Sequence, residues 1–85
     1  MRWRLAELMT RYRVQGRDLA TYLQISDNAM SSLKNADSMP RIDGQRLISI
    51  CQGLNQLGQN RERIITPYDL LEFNEEEFEP EQLTT

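Results

Sequence analysis

The chain is poor in side chains that catalyse. It has no histidine and one cysteine, Cys51. An internal disulfide, a cysteine/histidine metal cluster and histidine acid–base chemistry are therefore excluded. No glycine-rich phosphate loop is present, and the carboxylates follow a surface pattern or gather near the end. An enzyme is not expected, nor is a metal or a cofactor. Cys51 sits on an apolar stripe, which predicts a buried thiol without a redox role. What remains is recognition through hydrogen bonds and charge. Asp27, Asn28, Ser31 and Ser32 form one such group, with Lys34 and Asn35 just beyond. Helical spacing sets the first four on one side and Met30 and Leu33 on the other. A side-chain amide can bond the N6/N7 edge of adenine bidentately. A carboxylate can accept from cytosine N4, and a hydroxyl can do either job.

The elements that must hold this group are readable around it. RDLATYLQISDNAMSSLKN, residues 17–35, reads as two short amphipathic helices joined by a three-residue turn. Leu19, Ala20 and Leu23 form the inner face of one, Met30 and Leu33 that of the other, and Ile25 closes the small core between them. Ser26 is the N-cap of the second. This is a helix-turn-helix pattern, whose second helix can enter a DNA major groove. Before it, Leu5, Leu8, Met9 and Tyr12 repeat at helical spacing and predict a helix over residues 2–13. Arg2, Arg4, Arg11 and Arg13 are expected on its outer face, and Trp3 either extends the stripe or is exposed. After it, Leu47, Ile50, Cys51 and Leu54 predict a helix from Asp43 that stops around residues 53–58. Residues 55–66 read as a long loop, with Ile64 and Ile65 as a short extended piece. Thr66-Pro67 then opens a last short helix with Asp69 in its first turn. Tyr68, Leu70, Leu71 and Phe73 supply its apolar side.

Charge is divided along the chain. Residues 1–63 hold all ten bases and six acids, a net +4; residues 64–85 hold seven acids and no base, a net −7. From Asn74 onward, NEEEFEPEQLTT is too acidic and too poor in apolar residues to pack, and predicts a flexible tail. One domain over residues 1–73 and an acidic tail over 74–85 are thus expected. No apolar run approaches the ~18 residues of a membrane span and no signal-peptide pattern opens the chain. A soluble, cytoplasmic protein is expected.

In this order, RLAELMTRYR, RDLATYLQISDNAMSSLKN, MPRIDGQRLISIC and PYDLLEF resemble the lambda-repressor/Cro-like (XRE-type) helix-turn-helix family. The resemblance covers residues 1–73. It implies an all-α, compact four- to five-helix domain that binds double-stranded DNA, commonly as a homodimer, and acts as a bacterial or phage transcriptional repressor. Carried over position by position, Asp27, Asn28 and Ser32 fall where base edges are met, with Ser31 beside them on the same face. Arg17, Ser26, Lys34, Asn35 and Arg41 are the corresponding phosphate contacts. Ile64, Ile65, Tyr68, Leu71 and Phe73 are the expected dimer or partner surface. There are two departures. Gln24 stands in the turn where the family usually has a glycine of positive φ, and the link from Asn55 to Thr66 is longer than usual.

A rival reading uses the same fold as a protein-interaction module, of the antitoxin type among others. The modest body charge, Asp27 in the reading helix and the acidic tail favour it. Its partner would dock through the tail, with Phe78 as anchor, or through the 55–66 insertion.

Overall fold

The computed structural model describes residues 2–59 and 62–80. Its element order is β1 (Arg2–Trp3), α1 (Leu5–Arg11), α2 (Gly16–Leu23), α3 (Asp27–Lys34), α4 (Gly44–Leu57), α5 (Pro67–Leu70) and β2 (Leu71–Glu72), then a 3-10 turn over Glu75–Phe78. The fold is mostly helical, as expected, with an addition the all-α expectation lacked. β1 and β2 pair antiparallel, Arg2 opposite Glu72 and Trp3 opposite Leu71.

That pair shortens the first helix. Residues 2 and 3 satisfy their backbone outside a helix: the Trp3 amide donates to the Asp37 carbonyl at 3.1 Å, and the Arg4 amide to Leu70 at 2.8 Å. α1 begins only at Leu5. Trp3 is buried, neither exposed nor on a helical stripe. The core beneath gathers Leu5, Leu8 and Met9 of α1, Leu19, Ala20 and Leu23 of α2, Met30 and Leu33 of α3, and Ile50, Cys51 and Leu54 of α4.

α4 runs through Gly53 rather than fraying there. A Cβ on Gly53 would lie 2.7 Å from Leu19 Cδ1 and 2.9 Å from Tyr22 Cδ1, so glycine marks the close approach of α2. Asn55 is therefore helical, not the start of a loop. Its side chain holds the segment beyond: Oδ1 accepts from the Ile65 amide at 2.8 Å and Nδ2 donates to the Ile65 carbonyl at 2.9 Å. One amide side chain thus satisfies both backbone groups of Ile65, as a strand partner would. The Gln59 amide adds a tie to the Tyr12 carbonyl at 2.8 Å.

The last helix is a single turn. The Asp69 carboxylate reaches back to the Thr66 amide at 2.8 Å and is gripped by both guanidinium nitrogens of Arg63. Leu71 then turns extended, at φ −122° and ψ 131°, to pair with Trp3. Leu71 and Phe73 therefore lie beyond the helix rather than on its apolar side. The segment expected to be unstructured from Asn74 onward has local order. The Asn74 side chain accepts from the Glu76 amide at 3.0 Å, and the Phe73 and Phe78 rings stand 5.8 Å apart. Residues 81–85 of the expected tail, and residues 60 and 61 of the insertion, lie outside the described residues. No helix among the described residues is long and apolar enough to cross a membrane.

Gln24 has φ 59° and ψ 45°, the left-handed conformation expected at the turn. Arg13 shares it at φ 57°. A side chain in this region costs on the order of 1–2 kcal/mol relative to glycine. The opposing cost is glycine's extra freedom in the unfolded chain. Gln24→Gly is therefore expected to leave the melting temperature unchanged or raise it by a few degrees; a clear fall would show that the glutamine side chain itself holds the turn. A second expectation concerns acid. Burial pushes the Asp69 carboxyl up, but the Arg63 guanidinium and the Thr66 amide and hydroxyl outweigh it and hold it below the usual carboxylate range. A lowered folded value contributes stability that is present above the unfolded value of about 3.9 and is lost as pH falls through the folded one. Asp69→Asn should flatten the acid limb of a stability–pH curve below about pH 4, measured by urea denaturation; an unchanged limb would show that the Arg63–Asp69 pair adds nothing.

Candidate nucleic-acid interface

Two short helices and a left-handed turn build the exposed face. α2 turns Leu19, Ala20 and Leu23 inward, and α3 does the same with Met30 and Leu33. At the turn, the Gln24 amide donates to Thr21 and the Ile25 amide to Ala20, at 3.2 and 3.0 Å. Ile25 packs, partly buried, on the core. Ser26 caps α3: its Oγ accepts from the Ala29 amide at 3.1 Å. Its O–H keeps a proton to donate, so the cap does not consume its capacity toward an anion. Arg46, from α4, donates to the Leu23 carbonyl at 3.2 Å and so closes the C-terminal end of α2. This structural use of one of the ten bases had no signal in the sequence.

Asp27, Asn28, Ser31 and Ser32 all lie exposed on the outer side of α3, together, as helical spacing predicted. A groove of about 160 Å³ runs between this face and the start of α2, lined by Gly16, Arg17, Asp27, Met30, Ser31 and Lys34. Arg17 and Lys34 thus flank the groove. Gln15, the N-cap of α2, gives no side-chain acceptor to the first amides of that helix. They and the helix dipole present partial positive charge at the groove's edge. Lys34 also lines a second cleft of about 240 Å³ with Arg2, Trp3, Arg4 and Asn35 and with two acids, Glu7 and Asp37. Arg41 lies exposed in the link to α4.

The bases divide into two groups. Arg2 pairs with Glu72 at 3.1 Å and with Glu7 at 3.7 Å, Arg4 pairs with Glu7 at 2.6 Å, and Arg63 is taken by Asp69. The Arg4 guanidinium beside Glu7 holds that carboxyl below its ordinary range. Arg11 stands over the Tyr12 ring, 5.8 Å from its centroid. Arg17, Lys34 and Arg41 form no ion pair among the described residues. The cations left without a carboxylate therefore include the three charged residues assigned to phosphate. Free cations of this kind, beside an uncapped helix start, suit an anion that arrives from outside.

Of the residues expected at a partner surface, only some face outward. Ile65 is 2% exposed and belongs to the core, and Leu71 packs against that core. Ile64 and Tyr68 are 66% and 80% exposed, and Phe73 is also outward. Two residues not anticipated join the exposed apolar set, Tyr22 and Ile48. Tyr22 and Ile64 line a shallow cavity of about 390 Å³ with Gln52, Asn55 and Gln56, none of them charged. Ile48 lies one helical turn before Gln52. Cys51 is buried and free, as expected. Burial, with the Asp69 charge adding to it, pushes its thiol up to about 11. No group of three or more His, Cys, Asp or Glu able to hold a metal is present among the described residues. No family model, curated protein or solved structure matches the chain.

Proposed function

We propose that this chain is a sequence-specific, double-stranded-DNA-binding regulator of the lambda-repressor/Cro-like helix-turn-helix type, a cytoplasmic repressor working as a homodimer. One observation carries the reading. The α2–turn–α3 unit exposes Asp27, Asn28, Ser31 and Ser32 on one side, with Arg17 and Lys34 at the adjoining groove, and these two bases and Arg41 of the following link have no carboxylate partner among the described residues. α3 is the reading helix. Asn28 bonds an adenine edge, Asp27 accepts from cytosine N4, and Ser31 and Ser32 donate or accept as the base requires. Arg17, Ser26, Lys34, Asn35 and Arg41 contact phosphate and supply most of the affinity. Two such helices would stand one DNA turn apart, about 34 Å, on a pseudo-palindromic site. The uncharged surface around Tyr22, Ile48 and Ile64 supports self-association, because two copies can meet there without like-charge repulsion.

The rival reading, a protein-interaction module, is favoured by the outward Phe73–Phe78 pair amid Glu75, Glu76, Glu77 and Glu79. Selection of genomic fragments by the purified protein separates the two. The DNA reading expects recovery of a two-fold-symmetric site, with Asn28→Ala losing about 1–3 kcal/mol of discrimination at one base position in each half. Lys34→Ala should weaken binding to all sequences and lower the salt slope by about one unit. Recovery of no enriched fragment, with both variants indistinguishable from wild type, would replace the DNA reading with the rival.

A further inference from the structure

β1 does more than close the core. Arg2 bridges to Ser38 on one side and pairs with Glu72 on the other, so the strand lies between the α3–α4 link and β2. The Trp3 amide holds the Asp37 carbonyl of that link at 3.1 Å. Its buried indole Nε1–H reaches 30 positions along the chain and donates to the Leu33 carbonyl at 2.8 Å. Leu33 is in the last turn of α3, where carbonyls have no acceptor role left inside the helix. The next two residues, Lys34 and Asn35, share one cleft with Arg2, Trp3 and Arg4.

We propose that Trp3 is a positioning residue for the phosphate contacts of Lys34 and Asn35. The proposal rests on the duplex-binding reading above. The indole N–H caps the Leu33 carbonyl from outside the helix and holds the last turn of α3 against β1. Two effects follow. One carbonyl at the negative end of the α3 dipole is neutralised, which lowers the repulsion a nearby phosphate would meet. The backbone carrying Lys34 is also ordered before DNA arrives, so less freedom is lost on binding. Trp3 touches no DNA in this scheme. Its indole N–H acts through the Leu33 carbonyl, and loss of that donor affects every sequence alike.

The test uses the full chain with Trp3 replaced in two ways. Trp3→Phe keeps an aromatic ring and removes the donor. Benzothienylalanine at the same position keeps the indole shape, with sulfur in place of the N–H. Both are expected to weaken binding to specific and random duplexes by a similar factor and to flatten the salt slope by up to about one unit. Both should also speed hydrogen exchange at the Asn35 amide, which bonds the Ser31 carbonyl at 2.9 Å. The core variant Leu54→Val, compared at equal loss of melting temperature, should leave slope and Asn35 exchange unchanged. Wild-type affinity, slope and exchange in the benzothienylalanine chain would overturn the proposal and leave the duplex reading standing. A wild-type chain that binds no duplex at low salt would overturn both.

Discussion

The close approach of α2 and α4 at Gly53 is the constraint on which the rest depends. α2 is the shorter helix, eight residues against fourteen, and it carries the turn and α3 with it. Its position is set where Leu19 and Tyr22 press onto the α4 backbone at a point that leaves no room for a Cβ. Arg46 closes the end of α2 one step further along the same contact. Packed interiors tolerate little change in volume, so a methyl group there would force the Leu19 and Tyr22 side chains of α2 to shift.

Charge acts on this frame by subtraction. The body has ten bases and six acids, too small an excess to mark a face by itself. Glu7 engages Arg2 and Arg4, Glu72 engages Arg2 again, and Asp69 engages Arg63. These carboxylates draw positive charge away from the α1 and α5 sides, and the cations around α3 keep theirs. Asp69 is largely buried, whereas the exposed pairs of Glu7 and Glu72 add little to stability. Their effect on the distribution of field is larger than their effect on folding.

The parts of this design that are local were legible in the sequence. Ser26, Asp43 and Thr66-Pro67 marked helix starts because a cap is a property of a few neighbouring residues. The inward and outward sides of α3 followed from its period. The failures share a cause, which is distance along the chain. Trp3 read as part of a helix because its partners, Leu33 and Leu71, are remote. The sequence places the end of α4 only within residues 53–58, because a helical glycine costs about 1 kcal/mol, and α2 packing explains why the helix passes Gly53 and ends at Leu57. Leu71 suits a helix as well as a strand, and its pairing with Trp3 of β1 decides for the strand. Asn55 looked like loop because nothing near it reveals that its amide will grip Ile65. The free cations were legible as bases but not as free, since that depends on where Glu7 and Asp69 end up.

The meeting of β1 and β2 has a consequence for the order in which the protein becomes complete. Arg2 and Glu72 stand 70 positions apart, and a contact so remote is slow to close compared with the helical turns between them. On the ribosome the delay is set by synthesis. At about 5–20 residues per second, roughly 4–14 s separate the emergence of the two strands. The residues of α2, the turn and α3 are out early in that interval, yet β1 has no β2 to lie against until its end. A nascent chain, still tethered to its message, therefore carries the helix pair before its brace, which forms only once Leu71 and Glu72 have emerged.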